Sequence, residues 1–185
     1  MKKLMLAAFL SSLALGAQAE TYKIDPHHTF PNFTINHLGF STMHGQFTKT
    51  SGTVEMDKSA GTGKVDITIE TNSVYTGYSK RDEHLRSPDF FNAVEFPEIT
   101  FKSTRVKFSG DGAKVTGDLT IKGTTKSVVL NVDHIHCGKS PFNPKVSVCG
   151  FNATTQIKRS DFGVNYGLPA IGDEVNIDIE AEADR

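Results

Sequence analysis

The chain contains no tryptophan, four methionines and two cysteines in 185 residues. Its 20 Lys and Arg are matched by 21 Asp and Glu, leaving a formal charge of −1 and no basic tract. Proteins that hold nucleic acid present a basic face, so this balance argues against nucleic acid as a partner. Beyond the first fifteen residues, no segment approaches the ~20 consecutive apolar residues that a membrane-crossing helix needs. Gly-x-Ser-x-Gly is absent, so no strained turn presents a nucleophilic serine. No glycine-rich loop leads into a helix to cradle phosphate. Seven histidines are scattered along the chain, and their spacing composes no catalytic triad. Internal repeats and low-complexity tracts are missing as well.

What is present begins with an export signal. Lys2 and Lys3 precede the apolar run Leu4–Leu15, and Ala17-Gln18-Ala19 supplies the small-x-small motif that signal peptidase reads. The expected organisation is a leader over 1–19, cleaved after Ala19, and a single domain over 20–185. Cleavage removes two lysines and no acids, which moves the formal charge from −1 to −3.

Cys137 and Cys149 lie twelve positions apart. In an exported chain a disulfide is the first reading, contributing about 3 kcal/mol in the chain-entropy model for a loop of this size. The alternative is metal, because His134, His136 and Cys137 crowd into one stretch and thiolate with imidazole suits copper or zinc. On a strand, however, His134 and His136 share a face that Cys137 does not. No Cys-x-x-Cys or His-x-x-x-His accompanies them to complete a site. The metal assignment is therefore none, and the bridge is expected to tie a long loop.

Apolar residues alternate with polar ones at period two along Val65, Ile67 and Ile69, then Val115–Ile121, Val128–Val132 and Val175–Ile179. This is the mark of half-buried antiparallel strands. Further strands are expected over Asn32–His37, Met43–Met56, Phe101–Phe108 and Val148–Ile157, for about eight in all. Turns fall at Gly61-Thr62-Gly63, Ser109-Gly110-Asp111-Gly112 and Lys122-Gly123-Thr124. A short helical insert is expected over about 79–93. Ser79 and Asp82 resemble a capping box at its start. Ser87-Pro88 is read as the restart of a second short helix, with Ser as N-cap. Pro97 ends the insert and launches a strand from Glu98. So many strands with little helix must hide their edges, and closure into a barrel does so best.

The stretch Lys80–Phe101 combines Arg81, Asp82 and His84 with Phe90, Phe91, Phe96 and Phe101. Such a mixture of polar and apolar groups reads as the lid or mouth of a cavity. Thirteen Phe occur in the chain, all but Phe9 beyond the leader. Small eight-stranded barrels either fill their interior or keep room for one ligand, and composition alone leaves both open.

The segment TYKIDPHHTFPNFTINHLGFSTMHGQF at 21–47 resembles the opening motif of the YceI-like family of periplasmic lipid-binding proteins. Its match runs through Ile24, Asp25, His28, Phe33, His37, Leu38, Gly39, Gly45 and Phe47. Ser73, Arg81, Asp82, His84, Leu85, Ser87, Phe90, Phe91, Pro97 and Phe101 are similar to the family's central signature. GDLTIKGTTKSVVL at 117–130, KRSDFGV at 158–164 and Gly172-Asp173-Glu174-Val175 complete the likeness, which covers essentially the whole domain in order. Pro31 departs from the family's usual apolar strand residue, so a bulge or edge is expected there. The cysteine pair is not part of the core motif.

The resemblance implies an all-β, eight-stranded antiparallel lipocalin-like barrel with an elongated apolar cavity. It further implies a periplasmic carrier or sequestering protein for a long-chain isoprenoid, quinone or fatty-acid type of ligand. No cofactor and no catalytic residue are expected. The tail-lining candidates are Phe33, Ile35, Ile67, Ile69, Leu85, Phe90, Phe91, Phe101, Phe151 and Phe162. His37, Arg81, His84 and Arg159 are the candidates for a head group or the mouth. Arg81 is alternatively an ion-pair partner of Asp82 or Asp161, and Arg159 of Asp161; His37 is alternatively a core histidine. A lipid-modifying enzyme and a filled-barrel structural or stress module are the competing functions. Transient contact with a membrane or a membrane redox protein fits a carrier, and monomer and dimer are both left open.

Overall fold

The computed structural model describes residues 19–185, so the expected leader lies, but for Ala19, outside the described residues. Among the described residues, eleven strand segments, one helix and two 3-10 turns follow one another. The strands are β1 Glu20–Ile24, β2 Phe30–His37, β3 Ser41–Phe47, β4 Thr50–Asp57, β5 Thr62–Glu70 and β6 Val74–Tyr75. After helix α1, Ser79–Arg86, come β7 Glu98–Ser109, β8 Gly112–Ile121, β9 Thr124–Lys139, β10 Ser147–Lys158 and β11 Ile171–Asp184. All ladders are antiparallel, in the order β1-β4-β5-β7-β8-β9-β10-β11-β2-β3-β6, with β1 also pairing β11.

The segments make eight lanes, because β1 with β2, β3 with β4, and β5 with β6 are interrupted halves of single paths. β11 closes the ring by pairing β2 over Ile171–Glu180 and β1 at Ala183–Asp184. The expected closed eight-stranded antiparallel barrel is therefore found. β1 was not among the strands the alternation picked out, since five residues are too short for a period to register. Pro31 lies inside β2 opposite Ile179, and the ladder to β3 begins only at Asn32. Its missing N–H thus falls where no second neighbour needs one, and no bulge forms.

Two interruptions of period change which side chains point inward. On β7, Ile99 and Phe101 are buried, but past a register shift between Ser103 and Arg105 it is Val106 and Phe108 that reach the core. On β9, inward-facing Val132 is followed by buried Ile135, across a shift in the ladder to β10. An extra residue in each strand rotates the face by one step. The second shift turns His134 and His136 outward, where their rings stack 6.0 Å apart.

Cys137 and Cys149 form a disulfide. They are opposed directly in the β9–β10 ladder, so the bridge staples two paired strands rather than a long loop. It lies at the end of the barrel that carries both Glu20 and Arg185. Tyr22, Ile24, Met56, Ala113, Ile135 and Ala183 fill that end.

The insert crosses the opposite end. Tyr78, not Ser79, occupies the N-cap position, and it makes no side-chain cap. Asp82 is buried and turns back instead, accepting hydrogen bonds from the Thr76 backbone N–H and hydroxyl. The second helix expected from Ser87 is absent. A chain of turns stands there, with the backbone N–H groups of Phe90 and Asn92 both donating to the Ser87 carbonyl. Ser87 caps nothing, because its hydroxyl donates to the His84 carbonyl of the preceding helix. Lys122 Nζ donates to the Pro88 carbonyl at 2.8 Å and fastens the insert to the β8–β9 turn.

Two glycines make room for rings. A Cβ at Gly45 would stand 2.3 Å from Phe33 Cζ, and one at Gly117 would stand 2.4 Å from Phe101 Cζ. At Gly117 it would also meet the Lys102 carbonyl oxygen at 2.7 Å, whereas at Gly45 the nearest atoms all belong to the movable ring. Gly117→Ala is expected to cost about 1–3 kcal/mol in chemical denaturation, and Gly45→Ala to cost less because Phe33 can swing inward. Equal losses at the two positions would contradict this account of the wall.

Candidate functional site

A cavity of about 420 Å³ runs inside the barrel from the insert to the packed terminal end. Its walls are the inward faces of the lanes. β2 contributes Phe33, Ile35 and His37, and β5 contributes Ile67 and Ile69. Phe101 comes from β7, Phe151 from β10, and Phe162 from the 3-10 turn after it. The insert adds Arg81, His84, Leu85, Phe90 and Phe91, and Arg159 enters from the end of β10. Every residue singled out for tail or head group thus borders one space. Further lining comes from Val115, Leu119 and Ile121 of β8, and from Val175, Ile177 and Ile179 of β11. Their alternation was legible, yet nothing in it separated a wall from a filled core.

Among the lining residues, His44, His84 and Tyr166 are exposed, and all three sit toward the insert end. This end is the mouth. His84, Phe90 and Tyr166 make a triangle of rings with centroids 5.0 to 5.3 Å apart. Phe90 is the buried member of the three, while Phe91 packs edge-on against Phe47 at 5.6 Å. Offset and edge-on contacts of this kind suit the aromatic quadrupole. Tyr166 had no local signal in the sequence, because the loop that carries it is placed by contacts remote along the chain.

The polar candidates part company. Arg159 is 6 % exposed, and its guanidinium donates to the carbonyls of Gly172, Val164, Tyr166 and Ile171 at 2.7 to 2.9 Å. It pairs with no Asp161 carboxylate. Instead it ties the loop 159–170 to the start of β11, and a charge held this way has little left for a ligand head group. Burial pulls the Arg159 pKa down, and Asp173 opposes that pull. Asp173 in turn accepts the Ser160 backbone N–H and hydroxyl, and the backbone bond chiefly holds its carboxyl below the ordinary value.

Arg81 pairs with neither Asp82 nor Asp161. It donates to the Thr76 hydroxyl at 2.7 Å and the Thr76 carbonyl at 2.8 Å, so Thr76 joins it to Asp82 without an ion pair. His84 Nε2 lies 3.0 Å from an Asp89 oxygen and remains 43 % exposed. His37 is half-buried at the end of β2.

A closed antiparallel barrel around an apolar cavity, with exposed rings at its insert end, is an architecture that has room for one small molecule. The chain belongs to the YceI-like family, whose domain model matches residues 22–183. It is 43 % identical over 188 residues to Protein YceI of Escherichia coli O17:K52:H18, covering 98 % of this chain and 97 % of that one. Protein YceI of Salmonella arizonae is 42 % identical over the same length. Among solved structures, Burkholderia cenocepacia BcnA superposes with a TM-score of 0.77 at 26 % identity, covering 86 % of this chain and 99 % of that one. A polyisoprenoid binding domain from Saccharophagus degradans shares the fold, with a TM-score of 0.61 at 19 % identity over 88 % of this chain and 97 % of that one.

Arg159→Met is expected to lose at least about 3 kcal/mol of stability, since it strands several buried carbonyls at once. Arg81→Met, which frees only Thr76, is expected to lose clearly less. Urea unfolding of both variants checks the order, and a larger loss at Arg81 would reverse the assignment.

Proposed function

We propose that this protein binds one long-chain amphiphile of isoprenoid, quinone or fatty-acid type inside the barrel and carries or sequesters it in the periplasm without chemical change. The observation that carries this reading is the apolar cavity of about 420 Å³, bordered at its insert end by exposed rings. That volume lies in the ~300–1,000 Å³ range of small-molecule pockets, and a filled structural barrel would leave no such space. Family membership supports a lipid-binding role, as does the shared fold of a domain described as polyisoprenoid-binding. Each buried CH₂ contributes roughly 0.8 kcal/mol, so a chain of modest length suffices for tight binding. Arg81 and His84 stand where they meet whichever part of the ligand stays outside.

Loading requires contact with the membrane in which such amphiphiles reside. The β2–β3 turn beside the mouth offers Leu38 at 47 % exposure and Phe40 at 89 %. Three hydrogen bonds hold this turn: Leu38 N–H to the Ala170 carbonyl, Gly39 N–H to Asn36 Oδ1, and Phe40 N–H to the His37 carbonyl. Leu38 is kept at φ 58, a left-handed conformation that a residue bearing a Cβ seldom adopts, so the surrounding hydrogen bonds fix the turn that presents the apolar pair. A lipid surface is the partner that fits an exposed apolar pair next to a residue of the cavity wall, His37.

Delipidated protein is expected to take up a polyprenyl or quinone probe and return it unchanged by mass spectrometry. A cleaved or modified product would favour the enzyme, and no uptake of any long-chain probe would favour the filled barrel. Leu38→Ser with Phe40→Ser is expected to slow transfer from phosphatidylethanolamine–phosphatidylglycerol vesicles several-fold while leaving equilibrium affinity in place. An unchanged transfer rate would remove the membrane-docking role of the turn.

A further inference from the structure

We infer that His134 and His136 form a chelating site for a divalent transition-metal ion of the zinc and copper type, on the outer wall beside the disulfide, with Glu182 as carboxylate donor. Along β9 the inward residues Val128, Leu130 and Val132 set a period that, continued, would place residues 134 and 136 inside the barrel. Asp133 breaks it, because it has no partner on β10: Ala153 opposes Val132 and Asn152 opposes His134. The extra residue puts Ile135 in the core and leaves both histidines exposed on the outer face. Bulges re-aim side chains in this way. The product is a pair of imidazoles at i and i+2 of one strand face, with centroids 6.0 Å apart and planes within 8° of parallel. His28 and His84 each face an aspartate, whereas no hydrogen bond or ion pair among the described residues engages His134 or His136.

The neighbouring lanes supply the third donor and the space. His136 and Glu182 oppose Gly150 from its two sides, so all three lie on the outer face. A Cβ at Gly150 would meet no atom within 4 Å, so the surface between the histidine and the glutamate is open. Glu182 stands two strand spacings from His136, about 10 Å by backbone, and side chains leaning toward each other over Gly150 can share one ion across that span. Imidazole with carboxylate suits zinc and copper, and on a given set of ligands affinity rises from zinc to copper. Cys137 takes no part, because its sulfur is in the disulfide. The site lies at the end away from the mouth and does not depend on the lipid reading.

Glu182 also stands near Asp25 and His28, with one ligand atom of each within 4.8 Å of the others. That group is engaged internally, since Asp25 accepts the His27 backbone N–H and pairs with the His28 ring. The test separates the two places. Zn²⁺ and Cu²⁺ salts, each alone, are titrated calorimetrically into the disulfide-bonded protein. One ion per chain is expected, with copper held more tightly than zinc. His134→Asn and His136→Asn are each expected to weaken zinc by at least about 10-fold, since losing even a ligand's supporting partner costs ~10–100-fold. Both positions are exposed, so circular dichroism is expected to report the parent fold. Glu182→Gln is expected to weaken zinc several-fold, and His28→Asn to leave it unchanged. Two histidines acting separately would instead keep the parent affinity in each single variant. That result, a loss in His28→Asn as large as in His134→Asn, or no zinc binding by the parent would each overturn the inference. An unchanged affinity in Glu182→Gln would overturn the carboxylate's part in it.

Discussion

The ladder on β11 is the constraint on which the rest of the molecule depends. One edge of this strand pairs with β10 from Val148 to Lys158, and the other carries β2 and then β1. Without the second edge, the sheet would end in two long rows of unpaired backbone groups, and its apolar face would lie open to water. With it, every inward side chain is enclosed, and the interior becomes a compartment rather than a face. The cavity is a consequence of closure with eight lanes, a number at which side chains can either meet in the middle or stop short.

Closure alone leaves a tube, and two polar clusters turn one end into a mouth. Arg159 gathers four carbonyls of the loop 159–172 around a single planar group. Asp82 and Arg81 meet on Thr76 and hold α1 against the wall. Both clusters act where the ladders give out or turn irregular, so side chains supply hydrogen bonds that a regular ladder supplies elsewhere. The disulfide lies at the far end, where Cys149 is fully buried. The covalent staple therefore stiffens the packed base, and the mouth is held by hydrogen bonds and ring packing.

The lanes were legible in the sequence because a half-buried strand writes its own period into its residues, as Val65, Ile67 and Ile69 do. The insert was legible through Pro97 and the cluster of unlike residues before it. What escaped was whatever one residue type cannot announce. The shifts on β7 and β9 move the inward face without a glycine or proline to mark them. Ser87-Pro88 reads as a helix start in isolation, yet the Ser87 hydroxyl is taken by the His84 carbonyl behind it. Arg159 invited a carboxylate partner because acids are visible in a sequence, whereas a carbonyl acceptor is present at every residue and so signals nothing.

A barrel hollow at its centre gives up contacts that a filled one would make, because atoms facing a void lack neighbours on that side. Here the deficit is confined to the middle, between the packed base around Tyr22, Met56 and Ala183 and the ring cluster at the mouth. A ligand that fills the space restores those contacts and binds only the folded state, so stability and occupancy are linked. The same linkage explains why the rings that border the void stand over glycines. The ring tips of Phe33 and Phe101 occupy the space that a Cβ would take at Gly45 and Gly117, which lets each ring sit close against the wall. A larger residue at Gly45 would push only the Phe33 ring, whereas one at Gly117 would also press on the Lys102 carbonyl of the neighbouring strand. The hollow is thus built by the choice of residues on the wall, and it is not a failure of the core to pack.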